Sequence, residues 1–404
     1  MKFSDLWKKS DPSFRKNLLV FLASYFLVLF NYPLIRASAT TFFFDAYGAK
    51  SSPVAMFAAV FFLAATIMVC NRIQKKAPVQ RVFLVVSLAS AAIFVVGTLG
   101  FFRGEKFLAY FPFVWKEICV VLQVHLMLAY ANIYFTREQF KLLLGPVGGA
   151  GSIGGILGGM CTTYLSKEFG PATVMWTGVA TVVAPVLLFS FTRPVRKDEE
   201  KRESPLSSLG APGIRRYVFY VAGVVLLTQF VINIADFMFH VRFEETIREA
   251  VDRTAYLGQI YSLTNLLTLV FQVILLPVLL PRVSERNFHL FIPVSYVISI
   301  GLMLLGQGIG LLPIAALFTY LKAADYSLFS SGKEILYQPL LPAQKYGAKY
   351  LTDMLVYRAG KALVAFVLIY LQTSTILNML MFIFLALWIF LIIKLFRLHR
   401  QLFS

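Results

Sequence analysis

Ionisable side chains recur inside otherwise apolar stretches of this 404-residue sequence. The set comprises Arg36, Lys116, Glu117, Asp236, Lys322 and Asp325. An ionisable group in hydrocarbon costs about 3 kcal/mol or more, so such a group normally faces a partner or a water-filled cavity. Lysine and arginine bind anions, and a carboxylate can hold the cation in an ion pair or exchange a proton. These residues therefore indicate a path for a solute through a membrane.

The stretches that carry these charges have the length of membrane-spanning helices. Hydrophobic residues make up 58% of the sequence and charged residues 14%, and apolar runs of about 20 residues recur along the chain. We expect twelve spans, at residues 17–38, 52–71, 82–101, 110–134, 145–165, 172–192, 216–240, 254–280, 288–306, 311–331, 349–371 and 374–396. The predicted fold class is an all-α membrane protein.

The charged residues fall on the first, fourth, seventh and tenth of these spans. A polar linker at 193–216 separates an N-terminal six-helix bundle at 1–192 from a C-terminal six-helix bundle at 217–404. This 6+6 arrangement is the plan of major-facilitator-type transporters, whose halves rock about a site near the middle of the membrane. In that fold the first helix of each three-helix repeat lines the cavity. The four spans that carry charge occupy those positions.

Polar stripes mark further spans. On the seventh span the spacing i, i+4, i+7, i+11 places one set on a single helix face, formed by Gln229, Asn233, Asp236 and His240. Weaker patterns occur on the eighth and eleventh spans, formed by Asn265, Thr268 and Gln272 and by Asp353, Tyr357, Arg358 and Lys361. We expect these faces to line a cavity. The alternative is interhelical hydrogen bonding and ion pairing without any substrate contact.

The fifth span begins with a glycine-rich run from Gly145 to Gly159. A phosphate-cradling loop would continue with Lys and Ser or Thr, which this run lacks. Three glycines at four-residue spacing, Gly151, Gly155 and Gly159, let a neighbouring helix approach closely. We expect them to act in packing and in movement between states.

The net charge of +18 is spread over the N-terminus and short loops. The loop at 72–81 and the linker at 193–216 carry most of the bias, so the positive-inside rule places both termini in the cytoplasm. Nucleic-acid binding is disfavoured because the chain has no recognisable reader module. The polar segment Met1 to Lys16 does not resemble a cleavable signal, and we expect a multi-pass protein of the bacterial inner membrane.

The sequence contains no motif typical of an enzyme active site or of a metal-binding site. Cys70, Cys119 and Cys161 lie in spans without Cys-x-x-Cys spacing, so we expect them to be packing residues. The four histidines are scattered, and no Ser/His/Asp, Gly-x-Ser-x-Gly or Gly-Lys-Ser/Thr pattern occurs. We expect no metal, no cofactor and no enzymatic activity.

Two long stretches resemble the bacterial and plastid nucleotide (ATP/ADP) transporter family. The first runs through Lys116-Glu-Ile-Cys119, Ala129-Tyr-Ala-Asn132, Thr136-Arg-Glu-Gln-Phe140 and the glycine run. The second runs through Ala324-Asp-Tyr-Ser-Leu-Phe329, Lys333-Glu-Ile-Leu-Tyr-Gln-Pro-Leu340, Lys345-Tyr346, Ala348-Lys349, Asp353 and Arg358-Ala-Gly-Lys361. Members of that family exchange ATP and ADP or import nucleoside triphosphates, and others have no assigned substrate. The resemblance implies nucleotide transport and covers essentially the whole chain.

The resemblance also implies roles for single residues. Glu117 matches an important glutamate of the fourth span, and Arg36 matches the arginine that opens the first-span motif. In well-studied exchangers that motif continues with acidic residues and a lysine, whereas here it reads Arg36-Ala-Ser-Ala-Thr40. This departure weakens the substrate assignment, because phosphate recognition depends on positioned Lys and Arg donors.

The candidate substrate-binding residues are Arg36, Lys116, Glu117, Asn233, Asp236, Lys322, Asp325, Asp353, Arg358 and Lys361. Their charges allow two uses. Ion pairs can stay closed as gates until an anionic substrate displaces a carboxylate, or an acidic residue can titrate and couple transport to protons. Lys333 and Glu334, at the end of the tenth span, are candidates for an interfacial pair that stabilises one state or for a purely structural pair.

The leading hypothesis is a monomeric carrier that moves a nucleotide or related anionic metabolite through the lipid bilayer by alternating access, with exchange as one mode. One alternative is a carrier of a non-nucleotide solute such as an amphiphile, a peptide or a drug. Another is a sensor or scaffold that keeps the fold without transport, which the altered first-span motif supports. Competition by nucleotides would separate the first hypothesis from both alternatives.

Overall fold

The computed structural model describes residues 11–192, 194–195, 209–305 and 310–403, and this part of the chain folds into helices without a β-strand. The first five long helices are α1 (Pro12–Tyr47), α2 (Ser52–Gln74), α3 (Val79–Phe102), α4 (Tyr110–Tyr134) and α5 (Arg137–Phe189). Short 3₁₀ turns at Ala49–Ser51 and Lys106–Ala109 precede α2 and α4.

Local sequence explains where these helices begin. The Asp11 carboxylate accepts a hydrogen bond of 2.7 Å from the backbone N–H of Phe14 at the start of α1, as an N-cap residue does. At the start of α5, Thr136 and Gln139 form a reciprocal capping box. This cap extends α5 eight residues N-terminal to the predicted start at 145, because the polar turn before the glycine run is itself helical.

Helix α5 contains both the fifth and the sixth predicted spans. Gly170 interrupts it with a φ of 82° and a ψ of 167°, and Pro171 follows at once. Glycine adopts positive φ at little cost, and proline can begin but not continue a helix. The connection predicted at 166–171 is therefore a single-residue break within an otherwise helical segment.

The second half begins with α6 (Pro212–Thr246) and α7 (Ala250–Val270) and ends with α14 (Ser374–Phe403). Between them lie α8 (Leu276–Leu279), α9 (Glu285–Leu305), α10 (Leu311–Ala324), α11 (Ser330–Leu336), α12 (Pro342–Lys349) and α13 (Tyr357–Tyr370). Three π-helical turns join consecutive helices in this half, at Phe271–Leu275, Asp325–Phe329 and Tyr350–Val356.

The π-helical turns coincide with sequence-predicted site residues. Asp325 opens the turn after α10, and Asp353 lies within the turn before α13. A π-turn inserts an extra residue into the helical hydrogen-bond pattern and occurs frequently at functional sites. The turns therefore re-aim the side chains of two carboxylate residues relative to a regular α-helix.

Nine helical segments of the described chain are long and apolar enough to cross a membrane. The segment Gly145–Phe189 contains two of the predicted spans, and π-turns interrupt the two predicted spans near 311–331 and 349–371. The arrangement is thus consistent with twelve spans. The prediction of an all-α membrane protein is confirmed.

The chain forms two compact units. Unit 1 comprises the described residues of Met1–Gly48, Phe61–Glu199 and Ile247–Leu266, and unit 2 comprises those of Ala49–Val60, Glu200–Thr246 and Leu267–Ser404. The predicted six-helix halves at 1–192 and 217–404 stay a prediction. Most of the linker predicted at 193–216 lies outside the described residues, and the described part of it begins α6 from Pro212.

Each unit has its own aromatic core. In unit 1 the rings of Phe21, Tyr130 and Phe189 are buried and pack together, with centroids 6.1 Å apart for the first two and 4.9 Å for the last two. In unit 2 the buried indole of Trp388 meets the rings of Tyr296 and Phe329 edge to face, each with centroids 5.6 Å apart. These cores hold the helices that carry the charged residues.

Candidate functional site

Arg36 and Glu117 form the ion pair at the centre of unit 1. The guanidinium Nε of Arg36 on α1 lies 3.6 Å from a carboxylate oxygen of Glu117 on α4. The Arg36 side chain is 9% exposed, whereas 31% of the Glu117 side chain is exposed. Arg36 also donates a hydrogen bond to the hydroxyl of Tyr32 and lies over the rings of Tyr32 and Tyr261. The cation is fixed by several partners, and the carboxylate is the accessible member of the pair.

Lys116 lies beside this pair but uses different partners. Its ammonium donates a hydrogen bond of 2.6 Å to the hydroxyl of Thr40 and lies 3.6 Å from the centroid of the Phe113 ring. A buried lysine needs such partners, because an unpaired ammonium in an apolar environment is costly. Thr40 closes the segment in which the sequence departs from the family motif, so this segment still contributes a ligand to a buried cation.

A second ion pair in unit 1 was not predicted from the sequence. Arg253 at the start of α7 donates a hydrogen bond of 2.6 Å to the carboxylate of Asp45 near the end of α1. Next to it, the hydroxyls of Thr41 and Thr254 are 2.8 Å apart and both side chains are buried. These contacts join the end of α1 to the start of α7. The partners lie more than 200 residues apart, so no local pattern could have revealed them.

Asp236 is the centre of the charged cluster in unit 2. One of its carboxylate oxygens lies 3.2 Å from the ammonium of Lys322 on α10, and the other lies 3.2 Å from Nδ1 of His240, one turn further along α6. All three residues are at most 9% exposed. The Phe239 and Phe318 rings stack beside them with centroids 4.5 Å apart. The cluster is a buried, aromatic-walled site in which one carboxylate neutralises one lysine.

The rest of the polar stripe on α6 is also buried. The side-chain amide of Asn233 donates to the backbone carbonyl of Gln229, at 2.7 Å, and lies 3.4 Å from the Gln229 side-chain oxygen. The stripe thus includes a hydrogen bond within its own helix. The residues between the stripe positions are buried as well, so burial does not single out one face of α6, and the predicted cavity lining stays a prediction.

Asp325 lies one turn beyond Lys322 and is 8% exposed. Within the described part of the chain, no hydrogen bond and no ion pair reaches its carboxylate. Asp236, in contrast, has the Lys322 ammonium and the His240 ring at 3.2 Å. Asp236 on the seventh span therefore has a direct cationic partner, whereas Asp325 on the tenth span has none among the described residues.

Lys333 and Glu334 each pair with a residue of the following helical segment. The Lys333 ammonium lies 2.6 Å from the Asp353 carboxylate, and the Lys349 ammonium lies 2.7 Å from the Glu334 carboxylate. Adjacent residues on a helix do not face each other, so Lys333 and Glu334 contact different partners. Tyr337 and Thr352 are hydrogen-bonded through their hydroxyls between the two pairs. The arrangement fastens α11 to the helical segment that follows it.

Two further cations lie on α13. The guanidinium of Arg358 lies 3.9 Å from the sulfur of Met354, and the ammonium of Lys361 lies 5.6 Å from the centroid of the Tyr357 ring. Both side chains are half-buried. Residues separated by three on a helix share a face, so Arg358 and Lys361 present two cations together.

The predicted packing glycines lie against neighbouring side chains and backbone. A Cβ added at Gly159 would lie 2.5 Å from the backbone carbonyl oxygen of Gly258 on α7, and one at Gly155 would lie 2.5 Å from the Asn265 side chain. A Cβ at Gly151 would lie 2.9 Å from the ring of Tyr25 on α1. In unit 1, helix α5 therefore approaches α7 at a distance that only glycine allows.

The structure brings the predicted residues into separate groups. Arg36 pairs with Glu117, Asp236 pairs with Lys322, and Lys333 pairs with Asp353. Sequence reasoning missed three supporting residues, Tyr32, Tyr261 and Thr40, which hold the cations of unit 1. Tyr32 stands one helical turn before Arg36, and that spacing could have indicated it. The described residues contain no cluster of metal-ligating side chains.

Residues 288–402 match the model of the TLC ATP/ADP transporter family. The resemblance predicted from the sequence is thereby confirmed. The match covers the motifs from Ala324 to Lys361 and less than half of the chain, whereas the Lys116 to Gly159 block lies outside it. Among curated proteins, none matches the sequence.

Solved structures of several transporters share the fold. A variant of the nucleoside transporter NupG superposes with a TM-score of 0.70 at 13% identity, covering 94% of this chain and 99% of that one. A bacterial homologue of the iron transporter ferroportin in its inward-facing state gives 0.68 at 11% identity, covering 96% and 99%. The POT family transporter PepTSo gives 0.67 at 12% identity, covering 95% and 98%. The predicted major-facilitator-type fold is confirmed.

The chain has a major-facilitator-type fold whose described part contains nine helical segments able to cross a membrane, and its residues 288–402 are similar to the TLC family. The matching family and the structural neighbours are transporters. At these low identities the similarity shows the fold and does not show the substrate. The substrate is therefore argued from the charged residues of this chain.

Proposed function

We propose that this protein carries a nucleotide or a closely related anionic metabolite across the bacterial inner membrane by alternating access. The observation that carries the proposal is the buried Asp236–Lys322 ion pair between α6 and α10, in which the carboxylate oxygen and the ammonium nitrogen are 3.2 Å apart. Lys322 lies within the region that matches the ATP/ADP transporter model. A substrate phosphate would take the place of the Asp236 carboxylate as the partner of Lys322.

The surrounding charges favour an anion over a neutral or cationic substrate. Unit 2 contains three further cations on α11 and α13, namely Lys333, Arg358 and Lys361, and Lys333 is matched by Asp353. Arg358 has a sulfur neighbour, and Lys361 has an aromatic one. Phosphate oxygens bind arginine through paired hydrogen bonds and lysine through a point charge. Arg358 and Lys361 therefore supply both donor types that bind a phosphate group.

The Arg36–Glu117 ion pair of unit 1 has the properties expected of a gate that opens when an anion binds. Arg36 is held by tyrosine rings and a hydroxyl, so loss of its contact with Glu117 would not leave the cation isolated. Glu117 is the more exposed partner and can be displaced. Anion binding would release Glu117 from Arg36 while Arg36 keeps its aromatic neighbours.

Exchange is the expected mode of the carrier. An empty binding site leaves buried charges that must re-form their ion pairs before the protein changes state, whereas a bound phosphate satisfies the cations directly. A ligand shifts a conformational equilibrium only through its different affinity for the two states. The loaded carrier should therefore change state faster than the empty one.

Charge distribution supports the orientation. The loop at 72–81 and the linker at 193–216 hold clustered Lys and Arg residues, which retain cytoplasmic loops on the inside. Both termini therefore lie in the cytoplasm in our proposal, and the protein acts as a monomer.

Ligand-dependent thermal stability tests the proposal. Purified protein in detergent should be stabilised by ATP or ADP, because binding to the folded state adds about 2.7 kcal/mol at a ligand concentration 100 times Kd. The Lys322→Gln variant should lose this shift. Lys76→Gln, which changes an exposed lysine in a loop, is the matched control and should keep it. Equal shifts in all three proteins, or stabilisation by apolar compounds but by no nucleotide, would contradict the proposal.

A further inference from the structure

Asp325 differs from the other acidic residues in the helices of unit 2. It is 8% exposed, and within the described part of the chain its carboxylate has no hydrogen-bond donor and no cation within 4.0 Å. Asp236 and Asp353 each have a lysine at 3.2 Å and 2.6 Å, respectively. Asp325 is thus a buried carboxyl group to which the fold gives no direct partner.

Three cations act on the Asp325 carboxyl group, and each comes from a different helix. On α10 the nearest charged residue is Lys322, which already pairs with Asp236. On α11 it is Lys333, which pairs with Asp353, and on α13 it is Lys361, which lies over Tyr357.

The remaining neighbours do not offer a charge. On α9 the Tyr296 hydroxyl donates its hydrogen to the carbonyl of Leu321, at 3.1 Å. From the π-turn at Phe271–Leu275, the Gln272 amide donates to the carbonyl of Tyr326, at 3.4 Å. The neighbouring donors are therefore directed at other acceptors.

A buried carboxylate without a direct partner is costly in its charged form, and such a group is normally neutralised instead. We propose that Asp325 is the proton-binding residue of this carrier, protonated in the conformation described here and deprotonated once in each transport cycle. The proton binds a carboxylate oxygen from water on one side of the membrane and leaves to water on the other. No other bond changes and no redox step is involved.

The position of Asp325 couples this proton to the substrate site. Lys322 and Asp325 are three residues apart on continuous helical backbone, and the positive charge of Lys322 acts on the Asp325 carboxyl group. When Asp325 is neutral, Lys322 is left to Asp236 or to the substrate. When Asp325 is ionised, it competes for Lys322 with both. Loss of the proton therefore weakens the hold of Lys322 on an anion, which favours release on the side where the proton leaves.

This inference rests on the proposed function, because the coupled solute is the anionic metabolite. Its test uses liposomes that contain the purified full-length protein, with labelled ATP outside and with unlabelled ADP and a pH-sensitive dye inside. Accumulation should rise as the outside is made more acidic than the inside. A gradient of one pH unit should raise it by up to about tenfold for one coupled proton. The dye should report acidification of the lumen that begins on ATP addition.

Substitutions of Asp325 test whether this residue, and not another part of the protein, gives the response to the pH gradient. In Asp325→Asn, the ratio of uptake with the pH gradient to uptake without it should fall to about one, whatever rate remains. Asp325→Glu should keep a ratio well above one, because it retains a titratable group. The matched control is Asp252→Asn, which changes an exposed acidic residue at the start of α7 and should behave as the unaltered protein.

Two outcomes would overturn the inference. One is ATP uptake by the unaltered protein without any response to the gradient or any lumenal acidification. The other is a full gradient response in Asp325→Asn. If that variant is too unstable to test, the infrared band of a protonated carboxyl group in the unaltered protein gives a separate measurement, and its absence also overturns the inference. Failure of the proposed function is distinct, since the unaltered protein would then move no nucleotide under any gradient.

Discussion

The Asp236 carboxylate and the Lys322 ammonium lie 3.2 Å apart, with 7% and 11% of their side chains exposed. The pair joins α6 to α10, and His240 contacts the second carboxylate oxygen. Burying two charges costs several kcal/mol per ion unless each has good partners. The pair by itself therefore adds little net stability, and in the proposed function it supplies the cation that a substrate anion would bind.

Removing one member of this pair should destabilise the protein strongly. Lys322→Gln leaves the buried Asp236 carboxylate without its lysine, and breaking a buried pair in this way costs about 3–5 kcal/mol. The double variant Asp236→Asn with Lys322→Gln should recover much of that loss, because no uncompensated charge remains. Chemical unfolding of the unaltered protein, of Asp236→Asn, of Lys322→Gln and of the double variant gives the coupling energy between the two residues. Additive losses would show that the two residues do not interact.

Glu117 should matter for transport more than for folding. Glu117→Gln removes the charge that faces Arg36, but the arginine keeps Tyr32 and Tyr261, and the carboxylate is 31% exposed. Stability should therefore change by about 1 kcal/mol or less, while uptake of labelled nucleotide into liposomes is lost. Glu105→Gln changes an exposed glutamate and serves as the control. Normal uptake by Glu117→Gln would remove this residue from the pathway.

The close approach of α5 and α7 in unit 1 can be tested with a single methyl group. Gly159→Ala places a Cβ 2.5 Å from the carbonyl oxygen of Gly258, a backbone atom that cannot move aside easily. We expect a loss of about 1–3 kcal/mol, as for other overpacked sites. Gly149→Ala meets no atom within 4 Å and should be neutral or slightly stabilising. Equal melting temperatures for the two variants would exclude tight packing at Gly159.

Asp45 and Arg253 should stabilise the junction of α1 and α7. Arg253→Gln removes a 2.6 Å hydrogen bond and leaves a partly exposed carboxylate, so we expect a loss of about 1–3 kcal/mol. Exchanging the charges, with Asp45→Arg and Arg253→Asp together, should restore part of the stability that either single change loses. Thermal unfolding of the three variants measures this. If the exchanged pair is no more stable than the worse single variant, the two residues do not act as an ion pair.

Several features of this fold could be predicted from the sequence because they depend on local spacing. Apolar runs predicted the helices, and the ionisable residue Asp236 within such a run indicated a charged partner, which the structure supplies as Lys322. The connection predicted between the fifth and sixth spans, at 166–171, contains Gly170, where the structure breaks α5 before Pro171.

Other features depend on tertiary contacts that no local pattern contains. The Asp45–Arg253 pair links residues 208 positions apart. The π-turn at Asp325 arises within a segment whose composition is ordinary for an α-helix, so the sequence did not reveal that its carboxylate lacks a direct partner. Lys333 and Glu334 are adjacent in sequence, but the return of the chain through α12 supplies each with a separate partner.

The most direct test of the proposed function is exchange by the purified protein in liposomes loaded with unlabelled ADP. External labelled ATP should enter rapidly, and entry should be much slower into liposomes without an internal nucleotide. Lys322→Gln should abolish the entry, whereas Lys76→Gln should preserve it. If ATP enters at the same rate with Lys322→Gln as with the unaltered protein, or if no nucleotide enters ADP-loaded liposomes at all, the assignment of Lys322 and of an anionic nucleotide substrate is contradicted.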